Sequence, residues 1–228
     1  PAIARSFREA GIQIAAQFAY DPTYSAYANT EYNTHYMNLA YTPQKALSLM
    51  IASEVFHRVP MYKSFGEYPQ NLSFDNFRVD YKNNLAEYNS ENTFIYTNHT
   101  DAKPLDENRL NRIAGFGNSA VVQYDGLGAY FLDQVDDGIW RLEVMPNAVS
   151  VDNPFGRNSP DKTVSVIDWK AHKMHIQLKN LGPEFNLEAI NNGNTYSPAI
   201  ENASFLIQPG TYILSKKGAA KKWSATDA

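Results

Sequence analysis

The chain of 228 residues contains no cysteine, which excludes disulfides, thiolate metal sites and cysteine nucleophiles. It also lacks any apolar run near the roughly 20 residues that a membrane-spanning helix needs. Positive charge is scarce, because the formal net charge is −4 and no long basic run occurs. These absences argue against a membrane span and against nucleic acid as a partner.

Aromatic residues are plentiful, with 15 Tyr, 12 Phe and 3 Trp among the 228 residues. Tyrosine has an apolar ring and a polar hydroxyl, so a tyrosine-rich surface can both stack and form hydrogen bonds. Two interpretations follow. The rings form either a surface that binds sugars or a thick aromatic core.

The first 60 residues predict a βα unit. Ile3–Ala10 has helical composition, and Gly11 stands where a helix C′ glycine belongs. Ile12–Tyr20 is a nearly continuous apolar run, typical of a parallel strand covered on both faces. After a long polar and aromatic loop, Thr42 predicts the N-cap of a helix over Gln44–Arg58.

The rest of the chain predicts short strands separated by turn residues, with one helical turn over Leu85–Glu91. Regularly spaced short strands without helices between them indicate a β-sandwich. The fold class is therefore α+β, an N-terminal βα segment followed by an all-β antiparallel sandwich. The predicted strands are Phe77–Tyr81, Thr93–Thr97, Ala120–Tyr124, Gly128–Leu132, Gly138–Val144, Thr163–Asp168, Met174–Gln177, Phe185–Ile190, Ser204–Ile207 and Gly210–Ser215.

The predicted domain organisation has four parts. Residues 1–62 form the terminal βα unit, residues 63–92 connect, residues 93–218 form the sandwich, and residues 219–228 form a tail.

Several segments together resemble the end of a (β/α)8-barrel glycoside hydrolase of the bacterial exported type, its last βα unit followed by an accessory β-sandwich. The segments that carry the resemblance are Phe7–Ile12, Ala16–Pro22, Asn33–Tyr36, Thr42–Ala46, Gly128–Leu132, Trp140–Val144 and Pro209–Leu214. They match that part of the family in the types of residue and in their order along the chain.

The resemblance implies a glycoside hydrolase acting on poly- or oligosaccharide, located in the periplasm, on the cell surface or outside the cell. It also implies that both catalytic carboxylates lie in an upstream barrel portion, which would be a partner of this chain. No cofactor is implied. We expect the βα unit to supply contacts to sugar and the sandwich to brace the barrel.

The loop after the predicted strand holds the candidate site. Asp21 and Glu31 are weak catalytic candidates, because glycoside hydrolysis needs two carboxyl groups; a turn former and a solvated acid are their simpler interpretations. The resemblance puts an aromatic and a polar residue at the rim that faces the sugar. The expected substrate contacts are Tyr20, Asp21, Asn29, Tyr32 and His35.

Other groups receive structural interpretations. His172 and His175 are three residues apart in a predicted strand region, so they face opposite sides and do not form a metal site. Asp136-Asp137-Gly138 is turn chemistry rather than a calcium loop. Trp140 and Trp169 are expected in the core.

Two alternative functions remain open. The chain is either a non-catalytic carbohydrate-binding or adhesion module, or a sandwich with a purely structural role. A lone βα unit cannot bury both faces of its strand. A large exposed apolar surface near residues 1–60 therefore distinguishes the barrel interpretation from a self-sufficient module.

Overall fold

The computed structural model describes residues 1–17, 20, 37–153, 163 and 165–219. Two helices, α1 (Ala2–Glu9) and α2 (Pro43–Arg58), precede the strands. The described strands are β1 Ser73–Phe74, β2 Phe77–Asp80, β3 Leu85–Asn89, β4 Thr93–Tyr96, β5 Arg112–Gly115, β6 Val122–Tyr124, β7 Tyr130–Asp136, β8 Ile139–Val144, β9 Asn147–Ser150, β10 Ser165–Asp168, β11 His172–Ile176, β12 Phe185–Ala189, β13 Ser204–Ile207 and β14 Gly210–Lys216. The predicted α+β class is confirmed.

Three sheets form from these strands. A large sheet has the order β1-β2-β3-β4-β5-β7-β8-β14-β12, a smaller one has the order β13-β11-β6, and β9 and β10 form a separate pair. All neighbours are antiparallel except β4 and β5, which are parallel, so the large sheet is mixed. A parallel pair needs a crossover, and residues 97–111 supply it.

The centre of the large sheet is buried on both faces. Phe94 and Tyr96 of β4 face the core shared with the small sheet, while Ile95 between them faces the core shared with the helices. Leu47 and Ile51 of α2 lie in that second core and are fully buried. Alternate side chains of one strand therefore hold two different layers against the sheet.

The end of α1 follows the prediction for Gly11. The N–H of Gly11 donates to Arg8 O at 3.0 Å, and the N–H of Ile12 donates to Phe7 O at 2.8 Å. These two bonds form a Schellman motif, and Gly11 adopts its left-handed conformation at φ 80°. A side chain at this position would also collide with the ring of Tyr62, which would lie 2.4 Å from a Cβ.

The two helices run side by side in the same direction. At their C-terminal ends, Arg8 Nε donates to Val59 O at 2.8 Å and the N–H of Tyr62 donates to Arg8 O at 2.9 Å. At their N-terminal ends, Pro1 and Pro43 line one common cavity. The chain between two parallel neighbours has to return along their length, and residues 12–17 begin that return.

The strand predicted over Ile12–Tyr20 is wrong for residues 12–17, which form neither helix nor strand and are exposed throughout. A strand needs a neighbour for its backbone groups. Residues 13–16 make no backbone–backbone hydrogen bond with another described residue. The apolar pattern is present, but no pairing partner for it occurs among the residues that the structure describes.

The β region matches the sequence prediction in most places. Each strand predicted beyond residue 76 overlaps an observed strand, and Thr42 occupies the N-cap of α2, although its hydroxyl bonds Asn38 O at 3.0 Å instead of the helix. The helical turn predicted over Leu85–Glu91 is wrong, because these residues form β3. Three further strands, β1, β5 and β9, are not predicted from the sequence.

The buried side chain of Glu87 is the feature that distinguishes β3 from the predicted helical turn. It also provides a test of the stability of the fold. Its side chain is buried in β3, where it accepts hydrogen bonds from Arg78 Nε and, at 2.6 Å, from Thr100 Oγ1. Arg78 is 45% exposed, so the loss of Glu87 acts mainly through the buried Thr100 hydroxyl, which would be left without its acceptor.

We expect Glu87→Ala to lower the free energy of unfolding by about 2 kcal/mol, measured by urea denaturation. The matched control is Glu91→Ala, because Glu91 pairs with Arg109 while both side chains are 62% exposed. That variant should change stability by less than about 1 kcal/mol. Equal losses in the two variants would contradict a special role for burial at Glu87.

Candidate functional site

Tyr20 is the only one of the predicted site residues that the structure describes. Asp21, Asn29, Glu31, Tyr32 and His35 lie outside the described residues. Tyr20 is 47% exposed and forms an isolated parallel bridge with Met37, which is buried. The predicted rim tyrosine is therefore held beside the segment that leads into α2.

That segment is tightly organised. Asn38 Oδ1 accepts hydrogen bonds from the N–H groups of Ala40, at 2.8 Å, and Tyr41, at 3.3 Å. The N–H of Ala148 in β9 donates to Ala40 O at 2.9 Å, and Ser165 Oγ of β10 donates to Tyr41 Oη at 3.1 Å. The β9–β10 pair thus ties the sandwich to the start of α2.

A groove of about 1090 Å³ lies between the two helices and residues 13–17. Its lining is mainly apolar, with Ile3 71% exposed and Ile14 84% exposed. Further large apolar side chains in the lining are exposed by a third or more: Phe7, Tyr20 and Leu49. A contiguous exposed apolar surface of this kind marks an interaction site.

A second feature lies where β10 turns into β11. Asp168 uses both carboxylate oxygens there: Oδ1 accepts from the N–H of Lys170 at 3.0 Å, and Oδ2 lies 3.3 Å from His172 Nε2. Trp169, between these partners, is 49% exposed. The prediction of a core position for Trp169 is therefore wrong, whereas Trp140 is fully buried as predicted.

The electrostatics of this turn follow from its hydrogen bonds. The N–H of Lys170, followed by His172, lowers the pKa of the Asp168 carboxyl. Tyr124 packs edge-on against His172 with 6.1 Å between ring centroids. Burial, helped by the negative charge of Asp168, raises the pKa of Tyr124, so its phenol stays neutral near neutral pH.

The second histidine of β11 and two aspartates of β7 also have structural partners. His175 Nδ1 lies 3.0 Å from Ser204 Oγ, whereas His172 contacts Asp168. Asp133 accepts from Arg112 Nε at 2.8 Å, and Asp136 Oδ1 accepts from the N–H of Asp137 at 2.8 Å. Within the described part of the chain, no cluster of three or more His, Cys, Asp or Glu side chains could hold a metal ion.

Neither described helix is long and apolar enough to cross a bilayer. Comparisons with protein-family models, with curated proteins and with solved structures found no match to this chain. Function is therefore inferred from the residues, from their geometry and from the resemblance in sequence order.

The Asp168 turn gives a pH prediction. Because the folded pKa of Asp168 lies below its ordinary value of 3.8, this carboxylate stabilises the fold above that pH and the contribution disappears as the pH falls through the folded pKa. We expect the Lys170 amide resonance to shift with a midpoint below 3.8 in an NMR titration.

The control for this titration is Asp168→Asn, in which the side chain cannot ionise and the Lys170 resonance should stay constant over the same range. A wild-type midpoint at or above 3.8 would show that the carboxylate is not held by these hydrogen bonds.

Proposed function

We propose that this chain is the C-terminal section of a glycoside hydrolase acting on poly- or oligosaccharide. Residues 1–62 would complete a barrel, the rim loop would contact sugar, and the sandwich would brace the assembly. The apolar groove carries this proposal. An exposed apolar surface near residues 1–60 is what a βα unit displays without its barrel neighbours.

The direction of the helices supports the same assignment. In a βα-repeat, consecutive helices lie parallel and each strand between them runs back along the helices. Here α1 and α2 are parallel, and the connection passes from Ile12 to Tyr20 before reaching α2. The described apolar residues of this connection line the groove together with residues of the two helices.

The chemistry of the groove favours a strand-bearing partner. A second copy of the chain would cover apolar side chains such as Ile3 and Ile14. The backbone groups of residues 13–16, which bond no other described backbone group, would in addition need donors and acceptors once they are buried. Barrel strands on either side supply both at once. The upstream barrel portion is thus the proposed partner, and it would hold the two catalytic carboxylates.

A non-catalytic carbohydrate-binding module is the second candidate. The half-exposed Trp169 on the sandwich favours it, because an exposed indole suits stacking on a sugar ring. In both proposals the ligand is carbohydrate. An extracytoplasmic location belongs to the proposal through the resemblance alone.

The test uses Ile14→Asp in the protein that also contains the upstream portion. In that longer protein, the aspartate would be buried against the barrel, and we expect loss of thermal stability together with at least tenfold slower hydrolysis of the matching polysaccharide. In the 228-residue chain the same change should shift stability by less than about 0.5 kcal/mol, because Ile14 is 84% exposed.

Leu206→Asp is the matched control, since Leu206 is 53% exposed on β13 and lies outside the groove. It should leave both proteins unchanged. If Ile14→Asp behaves like Leu206→Asp in the longer protein, the groove does not seat a barrel. If the longer protein hydrolyses no glycan although its groove is covered, the result supports the proposed assembly and contradicts the proposed hydrolase activity.

A further inference from the structure

We propose that Trp169 is a stacking platform for a pyranose ring, at a carbohydrate-binding site on the sandwich that is separate from the groove. The site consists of Trp169 and the turn that Asp168 organises between β10 and β11. The inference rests on the proposed function for its ligand class, carbohydrate, and adds a second place where that ligand binds.

Exposure of the indole is the first observation. Trp169 is 49% exposed, while Trp140 in the same sandwich is fully buried. A tryptophan ring left in water loses a large hydrophobic contribution to stability, which a ligand stacked on its face recovers. The CH groups of one pyranose face provide the apolar partner, and the ring hydroxyls stay in contact with solvent.

Rigidity of the turn is the second observation. The two oxygens of Asp168 contact the N–H of Lys170 and the ring of His172, so hydrogen bonds bridge the turn on which Trp169 lies. His172 is itself packed against Tyr124. Because the platform is held before a ligand arrives, binding loses less conformational entropy.

The surroundings of the indole favour a sugar over an apolar protein surface. Lys170 is exposed next to Trp169. The imidazole of His172, two residues after Lys170, is partly exposed. These groups can bond hydroxyls at the edge of a stacked ring. The groove differs, since exposed aliphatic side chains dominate its lining.

The position of the platform also fits an extended glycan. Ser165, at the start of β10, contacts Tyr41 in the segment that follows the rim loop. Trp169 follows four residues later, so about 13 Å of strand separates it from that contact. An oligosaccharide of a few units spans this distance.

The test measures binding of maltohexaose, cellohexaose, laminarihexaose and xylohexaose to the 228-residue chain by isothermal titration calorimetry. We expect at least one of them to bind. Trp169→Ala should weaken that affinity by about tenfold or more, and Trp169→Phe should retain part of it. Wild-type tryptophan fluorescence should change on binding, and the change should be absent in Trp169→Phe.

The control variant is Tyr81→Ala, which removes another exposed ring, 63% exposed, from the turn after β2. It should bind as the wild type does. Equal affinity in Trp169→Ala, or no binding of any hexasaccharide, overturns the platform.

A loss of assembly with the upstream portion in Trp169→Ala, without a loss of sugar affinity, also overturns the platform and makes Trp169 a protein contact. The proposed function is judged separately by hydrolysis and by Ile14→Asp. The two ideas can therefore fail independently.

Discussion

Burial of the central strands on both faces is the constraint on which this architecture depends. In β4 the side chains alternate between two cores, with Phe94 and Tyr96 on one side and Ile95 on the other. Such a strand is stable only if a layer covers each face. The helices supply one layer and the small sheet supplies the other, so the N-terminal and C-terminal halves of the chain are joined through a common sheet.

The sequence predicted the elements well where local chemistry decides the outcome. Gly11 ends α1, the helix over Pro43–Arg58 begins after Thr42, and Asp136-Asp137-Gly138 forms the predicted turn between β7 and β8. The wrong predictions concern residues whose secondary structure depends on partners far away in the chain. The charged and polar residues of β3 suggested a helical turn, but Arg78 and Thr100, far along the chain, stabilise Glu87 inside a strand.

The candidate site shows the same division. The apolar pattern of Ile12–Tyr20 indicates a strand, yet residues 12–17 pair with no strand in the described part of the chain. The hydrophobicity of Trp169 predicts a core position. Hydrophobicity alone does not show that the residue lies in a short turn organised by Asp168, where its side chain is half-exposed. The local signal of this turn in the sequence is the Asp-x-Lys-x-His spacing around the indole.

The strand order has a consequence for synthesis on the ribosome. β14 lies between β8 and β12, so β12 joins the large sheet only through a strand that is translated after it. Until residues 210–216 emerge, the edge of β8 is unpaired and the core around Trp140 and Leu142 is open on that side. Because non-local pairing of this kind is slow and leaves aggregation-prone edges, β8 is expected to remain an unpaired edge until β14 has been synthesised and has folded onto it.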